Sequence, residues 1–509
     1  MGSISLGDCF KSRALQCGEK KAISFIREGR VETEISYRAL DRDAGRMAGV
    51  LLSQGINQGD RVIFYIEKSL FSVVAHIAVQ KIGAVGVPLN PGFKKQEMEY
   101  LLNDAGAQLV LAGPLQETTV REIDSRVKTM VIDPNTAYQD LDILESASGD
   151  IPAREIGPHD PGLIVYTSGT TGKPKGTVLT QENLVHDARN IIHIWEITER
   201  DVLCHVLPLF HVHGLCFALH TALMAGSHVL MPDQFAPDRV IDMLANSKGE
   251  NVCSEFMAVP AMYAKMMDAM GDRNLDFGHM RLWTSGSAPL LPKDFERITR
   301  IFGKEPVERE GMSETGMNFS NPLHGKKIPG SIGLPLPALD VRVVDPETFI
   351  DVEPGGTGEF WLKGPGVTPG YWQKPEETDK AFAQGWFRTG DSGRVDGEGY
   401  YYLTDRIKHI IITGGENVSP KEVEGVINQL EWVVESSVVG IPDEKWGEKV
   451  VAAVVPKPEI SGTPGEIQNY CKEHLHNWKC PKEVAFVEAL PKNTMGKVLK
   501  DEVEKFFAP

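Results

Sequence analysis

The sequence predicts an α/β protein: a large, multi-subdomain N-terminal part with doubly wound sheets and a β-rich subdomain, then a small C-terminal domain. Three observations carry this reading. Between residues 30 and 150, short apolar runs alternate with segments whose apolar residues recur at helical spacing. Beyond about residue 330, helical spacing gives way to short strand-like runs cut by Gly and Pro. At 509 residues, the chain also exceeds what one hydrophobic core serves.

Taken in order, GDRVIFYI (59–66) reads as a buried strand after a Gly turn. SLFSVVAHIAVQKIGA follows with helical spacing, and GVPLN reads as another short strand. AQLVLAG and TMVIDP repeat the theme, and strands covered on both faces read as such continuous apolar runs. After 330, LDVRVVD, GEFWLKG and GYYYLTD are the short strands of the β-rich part. A stretch of about 100 residues, the commonest size of an independent domain, begins with DRIKHIIITGGENVSPKEVEGVI, which reads strand, Gly-rich loop, helix. Ser419 stands as N-cap, Pro420 at the first helical position and Glu422 at the capping-box position. The expected domains are therefore 1–405, β-rich from about 330, and 406–509.

Lys plus Arg total 53 against 70 Asp plus Glu, a formal charge of -17, which argues against a chain held on nucleic acid by phosphate neutralisation. A local basic pocket for an anionic substrate remains compatible with it. The seven cysteines form no CxxC pair and fit a reducing compartment. MGSISLGDCF lacks a basic stretch followed by an apolar one, and Leu6 stands where a myristoylation signal wants Ser or Thr. LFSVVAHIAVQ, interrupted by His76, falls far short of the ~20 residues that span a bilayer. A soluble cytoplasmic protein without a membrane span, monomer or homodimer, is expected.

The most informative stretch is LIVYTSGTTGKPKGTVLT (163–180). Two apolar β-type runs flank Thr167, Ser168, Gly169, Thr170, Thr171, Gly172, Lys173 and Lys175. Glycines let backbone N–H groups turn inward as an anion nest, hydroxyls add donors and lysines add charge. A Walker loop needs Lys-Ser/Thr opening a helix, whereas here Lys173 precedes Pro174 and the loop joins two strands. Further along, GMSETG (311–316) sets a hydroxyl and a carboxylate after a Gly turn, a pair suited to a phosphate and a hard cation. WFRTGD (386–391), Arg406 and PKNTMGKVLK (491–500) complete the series.

These motifs, in this order, resemble the adenylate-forming superfamily of acyl-CoA synthetases, luciferases and peptide-synthetase adenylation domains, from about residue 20 to 505. The resemblance implies ATP, Mg²⁺ and coenzyme A, and a mobile α+β C-terminal domain hinged near Lys408. It implies that Ser313 contacts the α-phosphate, Glu314 holds magnesium, Asp391 and Arg406 meet the ribose and phosphates, and Lys497 serves adenylation. Gly414 and Gly415 match the segment that enters for thioester formation, and His211 the gate between acyl and CoA compartments. Glu310 stands where the family commonly has an aromatic residue against adenine.

For the acid, the resemblance points to His213, Arg281, Gly286, Gly316 and Met317. HMRLWTSGSAPLL and ETGMNFSNP resemble malonyl-CoA synthetases in detail. Lys265 stands where malonyl enzymes often carry Arg, and Cys216, Phe217, Trp283, Met317 and Phe319 make the neighbourhood apolar. The expected substrate is a small or medium apolar monocarboxylate, alicyclic or aromatic acids included. The alternatives are malonate or methylmalonate and, in another class, a stand-alone adenylation module loading a carrier protein.

Overall fold

The computed structural model describes residues 5–144, 149, 151–167, 173–249, 251–406, 409, 411–413, 416–443, 446–458, 462–493 and 496–507. The chain divides into two compact units, 1–340 with 362–387, and 341–361 with 388–509. The β-rich stretch thus falls mostly in the second unit.

The first unit holds two sheets. In one, the strands run in the order 129–131, 109–112, 61–65, 85–88, 161–167 and 175–180. All pair in parallel except the last two, which are antiparallel. The second sheet has nine strands and is parallel through its middle, from 307–312 to 21–27, with antiparallel strands at each end. Strands such as Leu109–Ala112 and Glu255–Ala258 are buried along their whole length, as their continuous apolar runs require. The predicted strands and the Leu70–Lys81 helix form where expected, and Ser69 caps that helix by accepting the Ser72 N–H.

In the second unit, the long strands Val433–Asp443 and Gly447–Pro456 form a ten-rung hairpin. Alternate residues go to opposite faces. Val450, Ala452 and Val454 pack with Ile467 and Cys471, while Val451, Ala453 and Val455 pack with Val503 and Phe507. Covering on both faces makes VVAAVV read as unbroken apolar sequence. The expected strand–loop–helix entry contains a further strand, Glu416–Val418, antiparallel to Ile411–Thr413. Helix Pro420–Ile427 starts after Ser419 with Pro at its first turn, yet the capping box does not form. Ser419 Oγ donates instead to the Thr404 carbonyl, and Glu422 pairs with Lys479.

Candidate active site

Strands Pro161–Thr167 and Lys175–Thr180 pair antiparallel with Thr167 opposite Lys175, so the glycine-rich loop is the connection of a hairpin. Ser168, Gly169, Thr170, Thr171 and Gly172 lie outside the described residues. Both shoulders of the loop are tied to helix Lys95–Ala105. Tyr100 OH donates to the Pro174 carbonyl (2.9 Å), and Tyr166 OH donates to Asp104 (2.8 Å), which also pairs with Lys374. Lys173 Nζ stands 5.7 Å from the Tyr100 ring centre; Lys175 pairs with Glu377 and stands 5.3 Å from the Tyr371 ring centre.

The turn between strands Val307–Met312 and Gly316–Ser320 carries Ser313 and Glu314. The Glu314 carboxylate is buried; its Oε1 accepts from Tyr371 OH at 3.2 Å and from Thr167 Oγ1 at 3.4 Å. Thr167, the last described residue before the glycine-rich loop, and Glu314 are therefore side by side. Among the described residues no group of three or more His, Cys, Asp or Glu could hold a metal. One oriented carboxylate with neighbouring hydroxyls fits Mg²⁺, which keeps water and substrate phosphates as its other ligands. Glu310, on the same hairpin, accepts from Asn318 Nδ2 at 3.0 Å.

The acid-side residues gather around a π-helix, His213–His220, an uncommon form often found at functional sites. Gly214 is needed there, because a Cβ would sit 2.1 Å from the Pro208 carbonyl oxygen. His211 packs against Phe210, and burial pushes its pKa down to about 4, so it is neutral near pH 7. His213 Nδ1 meets Ser287 Oγ at 3.0 Å, while its buried Nε2 has no partner among the described residues. Met317 is buried, and Gly316 takes a left-handed φ of 72°.

Arg281 does not stand as a receiver for a substrate carboxylate. Its guanidinium is held by Asp201 and Glu255 and also donates to the Trp195 carbonyl at 2.8 Å. Its charge is neutralised inside the protein. Lys265 is exposed.

A second arginine, Arg309, which the sequence reading did not single out, is held differently. It is 2% exposed, and none of its three guanidinium nitrogens has a hydrogen-bond partner among the described residues. Its Cζ stands 5.0 Å from the Phe217 ring centre. Gly286 makes room for it: a Cβ there would lie 2.6 Å from Arg309 Nε. Burial pushes its pKa down to about 10, against the pull of Glu310 and Asp187, so it stays charged at neutral pH. The hydroxyls of Thr284 and Ser285 are likewise buried and unpaired among the described residues. An Arg between two glutamates in the strand-like run PVEREGM was the available signal.

In the second unit, Asp391 and Arg406 are direct partners across the strands Trp386–Val395 and Tyr401–Arg406, which brings together two residues the sequence reading assigned to one nucleotide. The turn before Asp391 is organised by Glu359, 2% exposed. Glu359 accepts from Arg388, from the Gly390 N–H (3.1 Å) and from Trp361 Nε1 (2.9 Å). Lys497 is exposed on a tight turn whose Gly496 has a φ of 77°, and its N–H donates to Asn493 Oδ1. Lys408, Gly414 and Gly415 lie outside the described residues, as does the Arg406 side chain.

Residues 10–372 match the AMP-binding enzyme family, and 422–497 match the AMP-binding enzyme C-terminal domain. The chain is 35% identical over 477 residues to the long-chain-fatty-acid–CoA ligase FadD13 of Mycobacterium tuberculosis, covering 93% of each chain. It is 34% identical to the mitochondrial malonate–CoA ligase ACSF3 of Mus musculus, covering 93% of this chain and 87% of that one. ATP-bound MatB from Rhodopseudomonas palustris superposes with a TM-score of 0.92 at 35% identity over 99% of both chains. Among the described residues no helix is long and apolar enough to cross a membrane. With two family matches spanning most of its length and the expected motifs in order, this chain belongs to the AMP-binding enzyme family and is an AMP-forming acid–CoA ligase.

Proposed function

We propose that the acid is a short dicarboxylate of about the size of malonate, activated at one carboxylate and read at the other by Arg309. The observation that carries this is the buried guanidinium, which has no hydrogen-bond acceptor among the described residues. A buried charge with no partner costs several kcal/mol, and arginine does not escape by losing its proton. A ligand anion in the pocket offsets that cost, and a planar fork suits a carboxylate. The likeness to a malonate–CoA ligase supports the same class. It takes precedence over the apolar monocarboxylate that Phe217 and Met317 suggest, because apolar walls tolerate many acids but an unpaired charge does not.

The reaction on this reading runs in two halves. One carboxylate oxygen attacks the α-phosphorus of ATP and pyrophosphate leaves; the CoA thiol then attacks the acyl carbon and AMP leaves. The glycine-rich loop, Lys173 and Lys175 hold the phosphates, and Ser313 donates to the α-phosphate. Glu314, oriented by Tyr371 and Thr167, would hold magnesium, which would supply charge that offsets the phosphates. Asp391 accepts from the ribose hydroxyls with Arg406 beside it, Glu310 lies toward the adenine, and Lys497 neutralises the meeting anions. This is positioning and electrostatic stabilisation rather than covalent catalysis. For the thioester step, Lys408, Gly414 and Gly415 are the residues this reading assigns, with neutral His211 as the gate.

The test is CoA release across malonate, methylmalonate, succinate, butyrate, benzoate and cyclohexanecarboxylate at saturating ATP and CoA. Malonate or methylmalonate should lead by at least ~100-fold in kcat/KM, about 2.7 kcal/mol of transition-state binding. A lead by butyrate, benzoate or cyclohexanecarboxylate would return the acid to the monocarboxylates.

A further inference from the structure

We propose that Asp187 and Asn183 are positioning residues for adenylation, which hold the Ser313–Glu314 turn in place against the strand Lys175–Thr180. This rests on the reading that Glu314 serves the first half-reaction. Helix Gln181–Ile194 starts directly after the strand that leaves the loop, and Thr180 is its N-cap. Asn183 and Asp187 are four residues apart and so share one face of that helix. Both are buried.

Asp187 holds the end of the turn directly, and Asn183 holds the loop that backs it. Asp187 Oδ1 accepts the Met317 N–H at 2.8 Å, directly after the left-handed Gly316. That glycine is obligatory, since a Cβ there would lie 2.7 Å from the same Asp187 oxygen. Asn183 closes the capping box with Oδ1 and sends its amide N–H groups to the carbonyls of Pro365 (2.7 Å) and Val367 (3.1 Å). The backing loop is pressed on the turn: the Thr368 N–H donates to the Glu314 carbonyl at 2.7 Å, and a Cβ on Gly366 would lie 2.9 Å from the Thr315 carbonyl oxygen. Thr368 Oγ1 also donates to Val178 on the strand leaving the glycine-rich loop. One helix face therefore fixes the turn at Met317 and, through the backing loop, at Glu314. A shift of about 1 Å in such a group costs on the order of 100-fold in rate.

The bond to Met317 needs an acceptor at Oδ1 but no charge, so asparagine should replace Asp187 and alanine should not. The experiment compares wild type, Asp187→Ala, Asp187→Asn and Asn183→Ala in three measurements: ATP–pyrophosphate exchange with malonate, thioester formation from supplied malonyl-AMP, and hydrogen exchange over 312–320. Asp187→Ala should lower the exchange kcat by roughly tenfold or more. Its thioester step should change by less than about threefold, and amide exchange over 312–320 should quicken. Asp187→Asn should restore the exchange kcat to within about threefold, and Asn183→Ala should show the same split in weaker form. Asp187→Ala at wild-type exchange rates, or Asp187→Asn and Asp187→Ala equally impaired, would overturn the proposal. Exchange normal in wild type but lost alike in both half-reactions of the variants would also overturn it. A wild type silent in exchange with every acid would instead strike the reading of the reaction itself.

Discussion

Replacing Arg309 by methionine removes the one group proposed to read the second carboxylate while leaving its length and apolar stem. The guanidinium is 2% exposed and unpaired among the described residues, so its desolvation is already borne by the folded protein. At an effective dielectric of about 20, an ion pair at about 4 Å is worth ~4 kcal/mol. Losing most of it in the transition state lowers kcat/KM for malonate by ~100- to 1,000-fold, about 2.7 to 4.1 kcal/mol. Butyrate, which has nothing for Arg309 to hold, should change by less than about fivefold. Stability should move the other way, because a buried guanidinium with no hydrogen-bond acceptor among the described residues is exchanged for an apolar side chain. The variant should melt at or above the wild-type temperature. Arg309→Lys keeps charge without the planar fork and should fall between. The assay is CoA release against malonate and butyrate, with a thermal melt of each protein. An unchanged malonate-to-butyrate ratio, or a variant several degrees less stable, would refute the reasoning: the arginine would then be a structural group with partners of its own.

Three further outcomes are expected. Lys497→Ala should abolish acyl-AMP formation, read by pyrophosphate exchange, yet still make thioester from supplied acyl-AMP; equal loss of both would contradict its role. Glu310→Tyr should tighten ATP by about fivefold, ~1 kcal/mol, the scale of an aromatic contact, and a titration showing weaker binding would mean that Glu310, held by Asn318, already makes a better contact. Acid should destabilise the first unit through His76, which meets His220 at 2.8 Å and whose pKa burial pushes down to about 4. The unfolded side chain titrates near 6.5, so the unfolded state binds the extra proton first and stability falls as pH drops from about 6.5 towards 4. Melting temperatures from pH 7.5 to 4.5 should fall more steeply in wild type than in His76→Phe, and parallel curves would exclude the histidine.

Much of the fold was legible because apolar runs and turn residues are local signals. The strands around GDRVIFYI and the glycine-rich hairpin followed from them, and Asp391 and Arg406 proved to be cross-strand partners. What escaped is set by tertiary contact. Arg281 lies in the apolar HMRLW and Arg309 between two glutamates in VEREG, yet the fold places Asp201 and Glu255 around the first and, among the described residues, no hydrogen-bond acceptor at the second. The same holds for Ser419, whose hydroxyl finds the Thr404 carbonyl before its own helix, and for Glu359, an ordinary acid in GEFWLKG until strand pairing sets it under the Gly390 turn. The π-helix at His213 arises in a segment whose residues give no periodic hint of a wider turn.

The most direct measurement is a competition without CoA. Wild-type enzyme is given ATP and equimolar malonate, butyrate and benzoate, and the adenylates that form are resolved by mass spectrometry. Malonyl-AMP should dominate and should disappear with release of AMP when CoA is added. Butyryl-AMP or benzoyl-AMP in its place, or ADP and phosphate without any adenylate, would contradict the account.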